Sequence, residues 1–126
     1  MKFIQPANAP APLGHYSPGV QYRGVLYISG QLPTDPDLGE IPDGIAAQTL
    51  LALQKMEAVI IAAGGGRSDT LQVRIYISNG DDWGAVNTVF AKFFGEHRPA
   101  RCVVPSRDLH YGCLVEIEGV AAVDRG

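Results

Sequence analysis

The 126-residue chain lacks the features that mark several functional classes. It has only two cysteines, Cys102 and Cys113. Two thiols make neither a disulfide framework nor a multi-cysteine zinc site, and reduced thiols are the expectation. No apolar run approaches the roughly 20 residues of a membrane span; the longest is Ala58 to Ala63. The opening Met1-Lys2-Phe3-Ile4-Gln5-Pro6 has no apolar signal core. A cytoplasmic protein that binds no membrane is therefore expected. Basic charge is scarce too: 10 Lys and Arg against 13 Asp and Glu leave a net charge of −3. There is no basic stripe for a phosphate backbone, so no nucleic-acid partner is expected. Charged residues make up 18 %, below the roughly 25 % of ordinary domains. A surface so poor in charge hints at burial against other copies.

The 15 glycines and 9 prolines fall between patterned segments. Residues 6–18 are rich in Pro, Ala and Gly and have no period, which marks a loop. Residues 20–22 and 25–29 predict a hairpin turning at Arg23-Gly24. The spacing predicts a helix from Gly44 to Ala63, with Asp43 as N-cap and Gly64 just past its end. Its buried stripe is Ala52, Leu53, Met56, Val59, Ile60 and Ala63. Thr70 to Ser78 alternates, with Leu71, Val73, Ile75 and Ile77 on one face. A second helix is expected from Asp82 to Phe94, its stripe being Trp83, Val86, Phe90 and Phe93. Strands at 100–104 and 113–123 complete a single domain over 1–126. The order predicts an α/β sandwich with both helices on one sheet face, leaving the other face bare. Packing against copies of the same sheet would cover it.

Several kinds of active site are missing. Gly64-Gly65-Gly66 follows a helix and cannot be a phosphate loop. His15, His97 and His110 have no ligand spacing, so no metal is expected. Two features remain. Glu116 and Glu118 share one face of an otherwise apolar strand, and buried carboxylates need partners or lose their charge. They are either ordinary solvated residues or site groups. Arg101 opens an apolar strand; it either binds a ligand carboxylate with its planar fork or forms a structural salt bridge to Glu116 or Glu118. Asn87 lies on the apolar stripe of the second helix and must find hydrogen bonds there.

These pieces occur in order along nearly the whole chain. They are Ala11-Pro12-Leu13-Gly14-His15-Tyr16-Ser17, Leu26-Tyr27-Ile28-Ser29-Gly30-Gln31-Leu32-Pro33, Ala47-Gln48-Thr49, Ala62-Ala63-Gly64, Ala85-Val86-Asn87, Pro99-Ala100-Arg101 and Leu114-Val115-Glu116-Ile117-Glu118. The ordered set resembles the RidA (YjgF-like, endoribonuclease L-PSP) family of reactive-intermediate imine deaminases. The resemblance implies a chorismate-mutase-like fold: one mixed, mostly antiparallel sheet with two helices on one face, in a barrel-like homotrimer with clefts between subunits. It implies hydrolysis of 2-imino acids to 2-keto acids and ammonia, with no cofactor. By the same resemblance Arg101 clamps the substrate carboxylate and Glu116 positions the attacking water. Tyr16, Ser29, Gly30 and Asn87 line the cleft, as does Cys102 through its backbone N–H. Arg101 and Glu116 would meet across a crevice shared by two protomers.

The chain departs from the family pattern at His15, in the short loop Gly95-Glu96-His97-Arg98, and in Pro105 to Gly112, which lacks a Leu-Pro pair and adds His110 and Tyr111. Two rival readings follow. One is a catabolic deaminase of a 2-aminomuconate-like enamine acid; the other is a non-catalytic trimer that binds a small ligand. The ribonuclease name fits poorly with a net charge of −3.

Overall fold

The computed structural model describes residues 1–123. Six strands form one sheet in the order β1-β2-β3-β6-β4-β5. They are β1 (Lys2–Ile4), β2 (Gly19–Tyr22), β3 (Val25–Gln31), β4 (Thr70–Ile77), β5 (Ala100–Pro105) and β6 (Val115–Ala122). All neighbours are antiparallel except β4 and β5. That pair is parallel because α2 (Trp83–Phe94) carries the chain back between them. The other helix, α1 (Ile45–Ala62), follows β3.

The predicted hairpin forms as expected: Arg23 and Gly24 both take positive φ, at 50° and 80°. Such a pair matches the twist of the flanking strands. The stripe of α1 is buried at Ala52, Leu53, Met56, Val59 and Ile60, while Ala63 is half-buried. By length and composition α1 could cross a membrane, but here that stripe packs on the sheet. A Cβ at Gly119 would lie 2.7 Å from Met56 Sδ, so glycine lets α1 settle onto β6.

Three expectations are corrected, and one strand is added. The N-cap of α1 is Gly44 instead of Asp43; its φ of 88° is easy only for glycine, and no side chain caps the helix. Leu71 is 48 % exposed rather than buried beside Val73. The register shifts between Thr70 and Gln72, so Leu71 is an extra residue and Thr70 takes the buried place. Trp83 is 48 % exposed because it begins α2 at the sheet edge, where it meets Arg101. The short strand β1 had no signal of its own; its register places Phe3 opposite Val20.

Pairing places residues that share a rung on one sheet face. The helix-covered face carries Ile28, Gly119, Val73 and Arg101 in one rung. The opposite face carries Phe3, Val20, Tyr27, Val120 and Gln72 in the next. Beyond them lie the rungs Glu118–Arg74–Cys102 and Glu116–Tyr76–Val104. No element among the described residues packs on this second face, and Phe3 and Tyr27 are exposed there.

Candidate active site

Glu116 projects from β6 on the open face, at the end nearest the loops. Opposite it β3 is irregular: three steps from Ile28 to Gln31 match two steps from Gly119 to Ile117. The extra residue lies at Ser29-Gly30, and such bulges re-aim the chain beside active sites. Gly30 then passes so close to Glu116 that a Cβ on it would fall 2.5 Å from Oε2. Ser29 is anchored from the other side. Its Oγ donates to Ser17 O (2.6 Å) and its N–H to Pro18 O (2.9 Å). These bonds draw the 6–18 loop, and Tyr16 with it, over the bulge. The start of β6 is fixed by Gln48, whose Oε1 accepts from Leu114 N–H (2.8 Å) while its Nε2 donates to Pro42 O (3.0 Å).

Tyr16, Ser29, Gly30 and Glu116 thus line one cavity of about 820 Å³, together with Lys55, His110 and Tyr111. Burial pushes the pKa of Glu116 above the ordinary carboxyl value, the charge of Glu118 adds to the rise, and nearby His110 opposes it. Among the described residues Glu116 has no hydrogen-bond partner. A carboxylate so placed binds a proton more readily than usual, as a general base should.

Arg101 is elsewhere. It extends from edge strand β5 on the helix-covered face, three residues along from the rung of Glu116 and with β4 between them. Its Nη1 donates to Asn87 Oδ1 (2.9 Å), and its guanidinium carbon lies 4.8 Å from the Phe90 ring centroid and 5.6 Å from that of Trp83. Two aromatic faces and an amide hold the fork in place. Among the described residues Arg101 makes no salt bridge, so the structural pairing with Glu116 or Glu118 does not form. Arg101 lines a second cavity of about 530 Å³, together with Asn87, Phe90, His97 and Arg98.

The sequence-derived residues therefore fall into two halves on opposite faces: Tyr16, Ser29, Gly30 and Glu116 in one, Asn87 and Arg101 in the other. Within one protomer the halves do not meet. Cys102 points to the open face, exposed, and lines neither cavity. The two unusual loops divide the same way: His97 and Arg98 border the cavity of Arg101, and His110 and Tyr111 that of Glu116. Lys55 gave no sequence signal as a site residue. It lies off the helix stripe, and its Nζ donates to Leu32 O (2.8 Å) and Thr34 Oγ1 (3.0 Å), closing the cavity wall. Gln48 is visible in sequence only as part of a motif. The chance to tie α1 to β6 arises only after folding.

The endoribonuclease L-PSP family model matches residues 6–123. A RutC family protein of Pyrococcus horikoshii is 40 % identical over 115 residues, covering 90 % of this chain and 91 % of that one. The 2-iminobutanoate/2-iminopropanoate deaminase of Escherichia coli is 35 % identical over 123 residues, covering 95 % of this chain and 96 % of the relative. The crystal structure of E. coli TdcF with bound serine superposes with a TM-score of 0.92 at 33 % identity, covering 97 % of this chain and 98 % of that one.

Proposed function

Because the chain belongs to the endoribonuclease L-PSP family, and a relative 35 % identical to it is a 2-iminobutanoate/2-iminopropanoate deaminase, we propose that it is an imine deaminase that hydrolyses small 2-imino acids to 2-keto acids and ammonia. The C=N carbon beside a carboxylate is already electrophilic, so water can add without a covalent nucleophile on the protein. Orientation and a base suffice. Orientation contributes up to about 7–11 kcal/mol in ideal cases, and a positioned base typically about 10²–10⁴-fold. Arg101 holds the substrate carboxylate in its fork. Glu116 takes a proton from water as the oxygen adds to carbon, then gives it to the departing nitrogen.

One observation carries this reading: a half-buried glutamate with its pKa raised, and an aromatic-clamped arginine that has no acidic partner among the described residues, each open to a cavity. Neither arrangement favours stability. A buried carboxylate is costly unless paired, and a guanidinium held without a carboxylate forgoes its strongest contact. Both make sense where a ligand and a water complete them. Since the two groups lie on opposite faces, one copy's Arg101 serves another copy's Glu116. The exposed Phe3 and Tyr27 on the open sheet face supply apolar surface for that association, as a homotrimer lined by its sheets.

The test uses ammonia release from an oxidase-generated imino acid. Arg101→Ala is expected to lose at least about a hundredfold in activity while remaining folded. Light scattering should report three copies. Co-expressed Arg101→Ala and Glu116→Gln chains should regain part of the activity that each lacks alone, because a mixed cleft has one intact arginine and one intact glutamate. No regain would overturn the shared cleft; near-normal Arg101→Ala kinetics would overturn the clamp.

A further inference from the structure

We propose that His110 is the acid partner of Glu116, lending a proton to the imine nitrogen from within the same cavity; this rests on the deaminase reading above. His110 belongs to the unusual 105–112 segment, six residues before Glu116. It opens a 3₁₀ turn in which Tyr111 takes left-handed backbone angles (φ 59°, ψ 20°) and Gly112 follows at φ 71°. Strained non-glycine residues of this kind persist where the surroundings hold them, often at functional sites. Cys113 N–H donates to His110 O (3.1 Å), which closes the turn two residues ahead of β6. The imidazole meets the Tyr111 ring edge-on at 4.1 Å between centroids. Both side chains line the cavity of Glu116.

The other titratable groups around Glu116 suit the task less well. Glu118 and Tyr76 are engaged with each other, and Glu118 also with Arg74. Lys55 has two of its donors tied to Leu32 and Thr34. Cys113 is buried, and burial raises its pKa, keeping it a thiol. Tyr16 and Tyr111 are phenols and Asp35 a carboxylate bound to backbone N–H groups of Asp37 and Leu38. Histidine is the side chain that ordinarily changes charge between about pH 5 and 8. His110 is close enough that its charge lowers the pKa of Glu116 against burial and Glu118.

The proton balance closes. Imidazolium gives a proton to C=NH, making C=NH₂⁺. Water adds to carbon, and Glu116 takes its proton. Glu116 returns that proton to nitrogen, the C–N bond breaks and ammonia leaves with the electron pair. The hydroxyl proton passes to His110 as C=O forms, restoring imidazolium and carboxylate.

His110 is exposed, so His110→Ala and His110→Gln should keep the oligomer and the fold. Both are expected to lose about a hundredfold in kcat/KM on an oxidase-generated imino acid. Added imidazole should restore part of the His110→Ala loss, and the basic limb of the wild-type pH profile should disappear in both variants. Activity within threefold of wild type overturns the proposal. So does a loss that imidazole does not restore and that leaves the pH profile unchanged, since that is a structural effect. If Glu116→Gln is inactive while His110→Ala is normal, only the role of His110 falls; if the wild-type protein turns over no imine, the deaminase reading falls and this one with it.

Discussion

Glu116 and Glu118 stand two residues apart on the same face of the same strand, and the protein treats them in opposite ways. Glu118 Oε1 accepts from Arg74 Nε (2.8 Å) and Tyr76 Oη (2.7 Å). Burial pushes its pKa up, but those two hydrogen bonds outweigh it and leave the carboxyl below its ordinary value. Among the described residues Glu116 has the burial without the donors, and its pKa rises. Residue type and strand position are equal, so the difference lies in what β4 and β3 offer across the sheet. Arg74 and Tyr76 reach Glu118; beside Glu116, Gly30 brings no side chain at all. One carboxylate is built into the scaffold, and the other borders a cavity.

The largest break in this comparison comes from Glu116→Gln. Deamination should fall by about 10²–10⁴-fold, measured as ammonia release. The same variant should melt higher than wild type at neutral pH. A carboxyl whose folded pKa is raised binds its proton more tightly when folded, so its contribution to stability declines as pH rises from the ordinary carboxyl value through the raised one. Gln ends that decline. A lower melting temperature would mean that Glu116 has a stabilising partner after all.

Gly30→Ala asks whether the open space matters. The new Cβ would lie 2.5 Å from Oε2 and 3.1 Å from Cδ of Glu116, so the carboxylate must move. Misplacement on that scale is expected to cost roughly ten- to a hundredfold in kcat, with a smaller change in KM. Unchanged kcat would show that the position of Glu116 is not critical.

Glu118→Gln sharpens the contrast with the smallest effect. Activity should stay within a few-fold of wild type, while the acid limb of the pH–rate profile moves to lower pH because a like charge beside Glu116 is gone. Stability should drop by about 1 kcal/mol or less, as expected for a partly exposed pair. In wild type that contribution is present above the ordinary carboxyl pKa and is lost as pH falls through the depressed value, the reverse of Glu116. A chemical-denaturation series across pH would separate the two.

Much of this was legible in the chain. The stripe of α1, the alternation of β4 and β6 and the positive-φ hairpin follow from local periodicity and turn chemistry. The shared face of Glu116 and Glu118 was equally plain from their i,i+2 spacing. Asn87, an amide on an apolar helix stripe, needs a partner, and that partner is Arg101. The fates of the two glutamates were not legible. Sequence allowed Arg101 as the partner of either one, yet Arg74 took Glu118 because register put them on one rung. The place of Leu71 is illegible for a related reason: one extra residue in β4 moves it out of the buried row.

Taken alone, the sequence determined the helices, the main strands, the family and the residue types able to do the chemistry, because each of these is written in short-range pattern or ordered motif. Only the tertiary structure decided that Arg101 and Glu116 face opposite sides of the sheet, that a bulge at Ser29-Gly30 clears room for one carboxylate, and that His110 borders the same cavity. Those facts depend on strand register and on contacts between residues far apart in the chain. A single inserted residue or changed pairing redirects every side chain beyond it while leaving local periodicity untouched.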